Sequence, residues 1–339
     1  MEPMNDILEK LRINPLTEIN EPPTYCSINN RPSLTAGNFS LINGKKKAGK
    51  TFLLGGIMAS TINNSVQLDS IKGCLPAEKN AVLYFDTEQS QYHASRSIKR
   101  ICTLTGNPNP SNLFSYGLRP LSPEERLKVI EAVISMTPNV GFVAIDGIRD
   151  LLTKGINDEQ EATELTTKFL KWSYDRNIHI VLLLHQNKND LNARGHIGSE
   201  VVNKAETIIS VTKNEKSNIF KVVCEDSRDI PFDDFGFTIN AEGLPVAIKL
   251  PETGQKKTAD PQYINANEHI EFLRSIYENE SKYNYNELLK NIMEEFNIGN
   301  TASRKFVKHY LDNQFLTRER DGKKVLYDIN PEKHPFFSN

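Results

Sequence analysis

Cysteine is scarce, and what there is forms no pattern. Cys26, Cys74, Cys102 and Cys224 are scattered through 339 residues with no C-x-x-C spacing. That argues against a disulfide framework or a zinc ribbon and predicts reduced thiols in a cytoplasmic compartment. No apolar run approaches the roughly 20 residues needed to span a bilayer, so no membrane segment is expected. Residues 1–20 are polar and acidic, without the apolar stretch of a secretory leader, and no leader is predicted. No fixed-period repeat is present, which excludes a solenoid. Charge of one sign is also missing: 41 Lys and Arg oppose 43 Asp and Glu, a net charge of −2. Any nucleic-acid contact must therefore come from a local patch. The length suggests about two domains.

What is present is a glycine loop between an apolar run and a helical one. Phe39–Asn43 reads as a buried strand, and Phe52 to Ser60 as a helix packed on a sheet. Between them, Gly44, Lys45, Lys46, Lys47, Ala48, Gly49, Lys50 and Thr51 fit G-x-x-x-x-G-K-S/T, the phosphate-binding P-loop. The two glycines let backbone N–H groups converge on one concavity, and the following helix N-terminus adds attraction for phosphate. Lys50 can reach the β- and γ-phosphates, and the Thr51 hydroxyl can hold Mg²⁺. Phe52 follows as the next residue of the nucleotide-binding segment. The competing reading is a basic surface turn. Gly55 and Gly56 suggest close backbone packing of this helix.

The surrounding chain alternates strands and helices. Asp6–Arg12 reads as a short helix on an arm, broken by Pro15, Pro22 and Pro23. Tyr25–Leu34 suits a short strand or hairpin. Ala81–Phe85 is a buried strand ending in Asp86-Thr87-Glu88, and a helix follows from Gln91 to Thr105. Leu113–Tyr116 is a short strand. Ser122-Pro123 starts a helix as N-cap and first helical residue, running to Met136. Val140–Ile145 is a buried strand closed by Asp146, which fits the carboxylate of the Mg²⁺ water shell or a simple cap on the strand-to-loop turn. Asp158–Arg176 is a helix, and Ile178–Leu184 a buried strand ending in His185-Gln186. These strands predict an α/β fold, a mostly parallel doubly wound sheet with its site along the strand C-termini. Asn187–Ser199 reads as a mobile loop. A helix from Glu200 to Glu206, a strand Thr207–Thr212, and antiparallel edge strands Ile219–Cys224 and Phe235–Asn240 complete this region.

The P-loop, the Asp86-Thr87-Glu88 strand end, the Asp146 strand and the His185-Gln186 strand, in this order, resemble RecA-fold ATPases. Arg194-Gly-His-Ile-Gly-Ser-Glu-Val-Val-Asn-Lys-Ala-Glu206, followed by an apolar strand, looks like the RepA and DnaB type of hexameric replicative helicase, especially the RepA-like ATPases of plasmids and mobile elements. The resemblance covers residues 25–248. It implies a RecA-like P-loop NTPase core acting with ATP and Mg²⁺, in which Lys50 and Thr51 bind the triphosphate and metal, Glu88 is the general base and Asp146 completes the metal shell. It implies that Gln186, with His185, senses the γ-phosphate from a strand between the P-loop strand and the Asp146 strand. It further implies that Asn187–Gly198 faces a channel that takes single-stranded DNA, and that Arg228 reaches a neighbouring subunit's site in a hexamer. From the residues alone, Glu88 could instead cap the next helix, and Arg228 could pair with Asp226 or Asp229. DnaB-type helicases carry an N-terminal helical domain where this sequence has a short arm, and Lys45–Lys47 is unusually basic for the family.

Residues 251–264 read as a polar linker after the ATPase domain of residues 25–250, with residues 1–24 as the arm. Residues 265–335 form a small C-terminal domain. Helices Glu268–Tyr277, Tyr285–Phe296 and Thr301–Gln314, the last capped by Asn300 or Thr301, precede two extended runs joined by an Asp-Gly turn. Three helices and a hairpin resemble a winged helix. Arg304, Lys305 and Lys308 on its third helix, with Arg318, Arg320, Lys323 and Lys324 on its hairpin, suit duplex DNA; a protein-docking winged helix remains the other reading. The sequence thus predicts an ATP-hydrolysing helicase or translocase serving a mobile element. A second class stays open, an ATP-switched DNA-binding regulator or loader that unwinds nothing by itself. A small-molecule kinase would need an acceptor pocket, of which the sequence gives no sign.

Overall fold

The computed structural model describes residues 4–186, 195–214, 217–250, 261, 264, 266–278, 282–296, 298–322 and 324–330. The chain divides into two compact units, Met1–Leu250 and Pro251–Asn339.

In the first unit, helix α1 (Met4–Leu11) precedes β1 (Thr24–Ile28) and β2 (Arg31–Thr35). These pair antiparallel across Asn29 and Asn30, whose φ values of 46° and 61° suit a tight hairpin turn. Then come β3 (Phe39–Gly44), α2 (Lys50–Asn63), β4 (Val66–Gln67), β5 (Ile71–Gly73), β6 (Ala81–Asp86), α3 (Gln91–Thr105), β7 (Leu113–Gly117), α4 (Pro123–Met136), β8 (Val140–Asp146), α5 (Glu159–Arg176) and β9 (His179–His185). The unit closes with α6 (Gly195–Lys204), β10 (Thr207–Asn214), β11 (Ile219–Ser227), β12 (Phe235–Ile239) and β13 (Pro245–Ile248).

Nine strands form one sheet in the order β13-β12-β11-β10-β3-β9-β8-β6-β7. From β10 to β7 neighbours run parallel, and β11, β12 and β13 extend the sheet antiparallel. The strand order brings the C-terminal ends of β3, β9, β8 and β6 side by side, where open α/β sheets bind ligands. β9 lies between the P-loop strand β3 and the Asp146 strand β8.

Every residue of β3, β6 and β8 is buried, as parallel strands covered on both faces must be. The pleat sorts their side chains. Val82 and Tyr84 of β6, with Phe142 and Ala144 of β8, join Leu53 and Ile57 of α2 in one core. Leu83 and Phe85, with Val143 and Ile145, join Phe169 and Trp172 of α5 in the other. Trp172 is therefore core. Ser122 caps α4 through a reciprocal capping box with Glu125, with Pro123 in the first turn.

Several boundaries differ from the sequence reading. Helix α6 starts at Gly195, not Glu200, and β11 continues through Ser227, so Glu225–Ser227 is strand. The β1–β2 hairpin falls where Tyr25–Leu34 was expected to form one. By contrast β5 and β4, which extend it into the sheet β2-β1-β5-β4, and the edge strand β13 carry no sequence signal strong enough to separate them from loop. Close backbone approach is not found at Gly55 or Gly56, where an added Cβ would meet ordinary contacts at 3.5 and 3.4 Å. It is found at Gly73, where a Cβ would lie 2.0 Å from Ser60 O. Residues 187–194 of the expected channel loop, and most of the expected linker, lie outside the described residues.

The second unit holds α7 (Ala266–Tyr277), β14 (Tyr283–Asn284), α8 (Tyr285–Phe296), α9 (Asn300–Asp312) and the hairpin β15 (Leu316–Asp321) and β16 (Lys324–Ile329). The strands form an antiparallel sheet in the order β14-β16-β15. Phe272, Leu288, Ile292, Phe296, Phe306 and Tyr310 make its core. Helix α9 is capped by Gly299 rather than Asn300 or Thr301; Asn300 Oδ1 instead accepts from Arg304 Nε at 2.9 Å.

Candidate nucleotide site

The P-loop turns out of β3 through glycines in conformations that a side chain would strain. Gly49 has φ of 96° and forms the N-cap of α2; a Cβ there would stand 2.5 Å from the Phe220 ring. Gly44 has φ of 154°, and a Cβ there would meet Val211 O at 2.5 Å. β10 and β11 thus pack directly against the loop.

Lys50, the first residue of α2, is buried. Its Nζ donates to Gly44 O at 2.8 Å and Lys45 O at 3.1 Å and lies 2.9 Å from His185 Nδ1. Burial pushes its ammonium down to about 8, against the opposing pull of Asp146 and Glu88. A buried cation whose hydrogen-bond partners are carbonyls and an imidazole is well suited to an arriving polyanion. An ammonium has no acceptor, so His185 Nδ1 accepts and the neutral ring carries its proton on Nε2. That proton faces Glu88 Oε2 at 3.5 Å, and the contact with His185 holds the Glu88 carboxyl below its ordinary range.

The Thr51 hydroxyl donates to Asp146 Oδ2 at 3.1 Å, uniting the two residues expected at the metal. Burial, then the nearby Asp86 carboxylate, raises Asp146 to about 6. A buried carboxylate held against its own preference for water, beside a hydroxyl, fits a hard divalent cation. Lys50, Thr51, Phe52, Glu88, Asp146 and His185 all border one cleft of about 730 Å³, together with Lys46, Lys47, Ala48 and Gly49. Glu88 does not cap α3, whose N-cap is Ser90.

Gln186 does not border this cleft. The pleat of β9 that brings His185 to the cleft turns Gln186 the other way, and it is 5% exposed. Its Nε2 donates to Asn43 Oδ1 at 3.2 Å, and Asn43 in turn donates to Glu225 at 3.0 Å. The residue beside Lys50 and Glu88 is His185. Arg228 also stands apart from this cleft. It follows β11 at the end of the sheet where Thr207 begins β10, and its Nη2 donates to Lys204 O at 3.0 Å. Asp226 and Asp229 are not its partners; they accept from the backbone N–H groups of Ser227 and Ile230.

Sequence reasoning missed the far wall of the cleft. Arg96 and Arg100 of α3, Lys213 of β10, Phe220 of β11 and Asn240 just after β12 line it. The Arg100 guanidinium lies 4.1 Å over the Phe52 ring and donates to Gly243 O at 2.9 Å. Only the spacing of the two arginines, one helical turn apart, could have hinted at a shared face.

In the second unit, Arg304, Lys305 and Lys308 are exposed on α9, and Arg318 and Arg320 are exposed on β15. Lys323 and the Lys324 side chain lie outside the described residues.

A P-loop between a buried parallel strand and a helix, with a Thr–Asp pair and a cleft-facing glutamate, defines a P-loop nucleotide-binding protein of the ATPase class. The chain belongs to the family described as AAA domain, which matches residues 10–190, more than half of its length. No curated protein matches it. Among solved structures, the crystal structure of the RadB recombinase is similar at 16% identity and a TM-score of 0.44, covering 64% of this chain and 93% of that one. No helix among the described residues is long and apolar enough to cross a membrane.

Proposed function

We propose that the protein is a ring-forming, DNA-acting ATPase with a RecA-like core, a RepA-like helicase or translocase serving replication or transfer of a mobile element. The observation that carries the reading is the convergence of Lys50, Thr51, Asp146, Glu88 and His185 on one cleft at the strand C-termini. In this reading the P-loop N–H groups and Lys50 take the β- and γ-phosphates of ATP. Thr51 and Asp146 hold Mg²⁺, which would draw charge from the phosphate oxygens. Glu88, steadied by the His185 Nε2 proton, takes a proton from the attacking water.

Arg228 supports an assembly rather than a single chain. It is exposed, unpaired with the neighbouring aspartates, and away from its own cleft, as a residue serving an adjoining subunit would be. We place single-stranded DNA in a central channel of a hexamer and duplex DNA against the C-terminal unit as a winged helix, with α9 and the β15–β16 hairpin as its basic face.

Mixing Lys50→Ala and Arg228→Ala proteins tests the shared site. Each alone should be nearly inactive. Mixed assemblies should regain part of the turnover, because an intact P-loop from one meets Arg228 from the other. No recovery in verified mixed assemblies would overturn the shared site.

A further inference from the structure

The Asp86 carboxylate stands behind the cleft wall, near enough for its charge to bear on Asp146. It is 1% exposed and does not border the cavity, yet each of its oxygens is used twice. Oδ1 accepts from the backbone N–H of Glu88 at 3.1 Å and of Gln89 at 2.7 Å. Oδ2 accepts from Gln89 Nε2 at 2.9 Å and lies 3.2 Å from the Tyr84 hydroxyl. Thr87, between them, ties the same turn to the end of β8 through Asp146 O at 3.0 Å and Gly147 O at 2.7 Å. The backbone that carries Glu88 is therefore clamped from both sides.

Holding a carboxylate there is costly. Burial raises Asp86 above its ordinary value even though two backbone N–H groups and a phenol favour its ionised form. A structural turn could be closed more cheaply by a neutral Asn or Ser. Hydrogen bonds to an ionised acceptor are about twice as strong as neutral ones, which suits a turn that must not drift. A catalytic base must sit within about half an ångström of its working position.

We propose that Asp86 is a positioning residue that aims Glu88 at the attacking water. This rests on the reading of Glu88 as the general base. Asp86 borders neither the nucleotide cleft nor Thr51. It shares the Tyr84 hydroxyl with Asp146, whose Oδ2 lies 3.3 Å from that hydroxyl. Its hydrogen bonds to the Glu88–Gln89 backbone are the route by which it acts on Glu88.

The test is steady-state ATP hydrolysis by the full chain, with binding of a fluorescent ATP analogue measured in parallel, for Asp86→Asn, Asp86→Ala, Glu88→Gln and the Asp86→Asn/Glu88→Gln pair. Asp86→Asn is isosteric and keeps the turn even if the alanine variant folds poorly. It should lower kcat about tenfold, and Asp86→Ala by about a hundredfold, with KM, analogue affinity and the Mg²⁺ concentration for half-maximal turnover changed less than about threefold. In the Glu88→Gln background, Asp86→Asn should cost nothing further, since the group it positions is gone. A wild-type kcat in both Asp86 variants would overturn the proposal. So would an undiminished tenfold loss in the Glu88→Gln background, or a shifted Mg²⁺ dependence pointing to Asp146. If Glu88→Gln itself turned over normally, the assignment of the base would fall and the proposal with it, an outcome distinct from the failure of Asp86 alone.

Discussion

The Thr51 hydroxyl donates to Asp146 Oδ2 across 3.1 Å, tying the first turn of α2 to the end of β8. Asp146→Asn should keep this bond through its amide oxygen and lose only the charge. Mg²⁺-supported turnover should then fall at least about a hundredfold, consistent with the several kcal/mol a metal ion contributes to phosphoryl transfer. Nucleotide binding measured in a chelator should change less than about threefold. Titrations with and without Mg²⁺ check both; an unaltered Mg²⁺ dependence would remove Asp146 from the metal.

Lys50 is a cost to the free protein. Its buried ammonium is depressed from 10.5 to about 8, chiefly by loss of water. That corresponds to on the order of 3 kcal/mol of strain on the charged form at neutral pH. Lys50→Met should therefore leave the nucleotide-free protein as stable as the parent, or more stable by about 1 kcal/mol. The rise in Tm on adding ATP should disappear. Thermal melts of both proteins would show it, and a surviving ATP-induced shift would contradict the role of Lys50.

Gly49→Ala combines a strained φ with a collision against Phe220, 2.5 Å away. The expected cost is about 2–4 kcal/mol, summing left-handed strain and overpacking. Urea unfolding measures it. Shortening the ring in Gly49→Ala/Phe220→Leu should return part of the loss, and no return would mean that backbone strain alone is responsible.

His179 gives the fold a pH dependence. It is fully buried, and its Nδ1 lies 2.7 Å from Thr35 O, which makes Nδ1 the protonated nitrogen of a neutral ring; Nε2 has no partner. Burial lowers its pKa below 6.5, with Glu206 opposing. Below pH 6.5 the unfolded chain takes a proton that the folded chain refuses, so stability falls with pH by up to about 1.4 kcal/mol per unit until the folded value is reached. Chemical denaturation between pH 5.5 and 7.5 should show a shallower slope in His179→Asn, whose amide can donate to Thr35 O but does not titrate. Equal slopes would place the pH dependence elsewhere.

The buried strands were legible because parallel strands covered on both faces leave long apolar runs, as in Ala81–Phe85 and Val140–Ile145. The Lys50, Thr51, Asp146 and Glu88 cluster was legible because the P-loop spacing and the strand-end carboxylates are local features. Which of His185 and Gln186 borders the cleft was not legible, because adjacent strand residues face opposite ways and sequence does not fix the facing. Phe220 and Arg100 were invisible because β11 and α3 reach the cleft only through the order of strands in the sheet. β4 and β5 are two and three residues long, too short for any periodicity to register.

The central claim is that ATP turnover is coupled to DNA. The most direct measurement is steady-state ATP hydrolysis without DNA, with single-stranded DNA and with duplex, using Lys50→Ala as the blank. The account predicts turnover abolished in Lys50→Ala and stimulated by single strands well above the DNA-free rate. Turnover indifferent to single strands, or equal in Lys50→Ala and the parent, would contradict it.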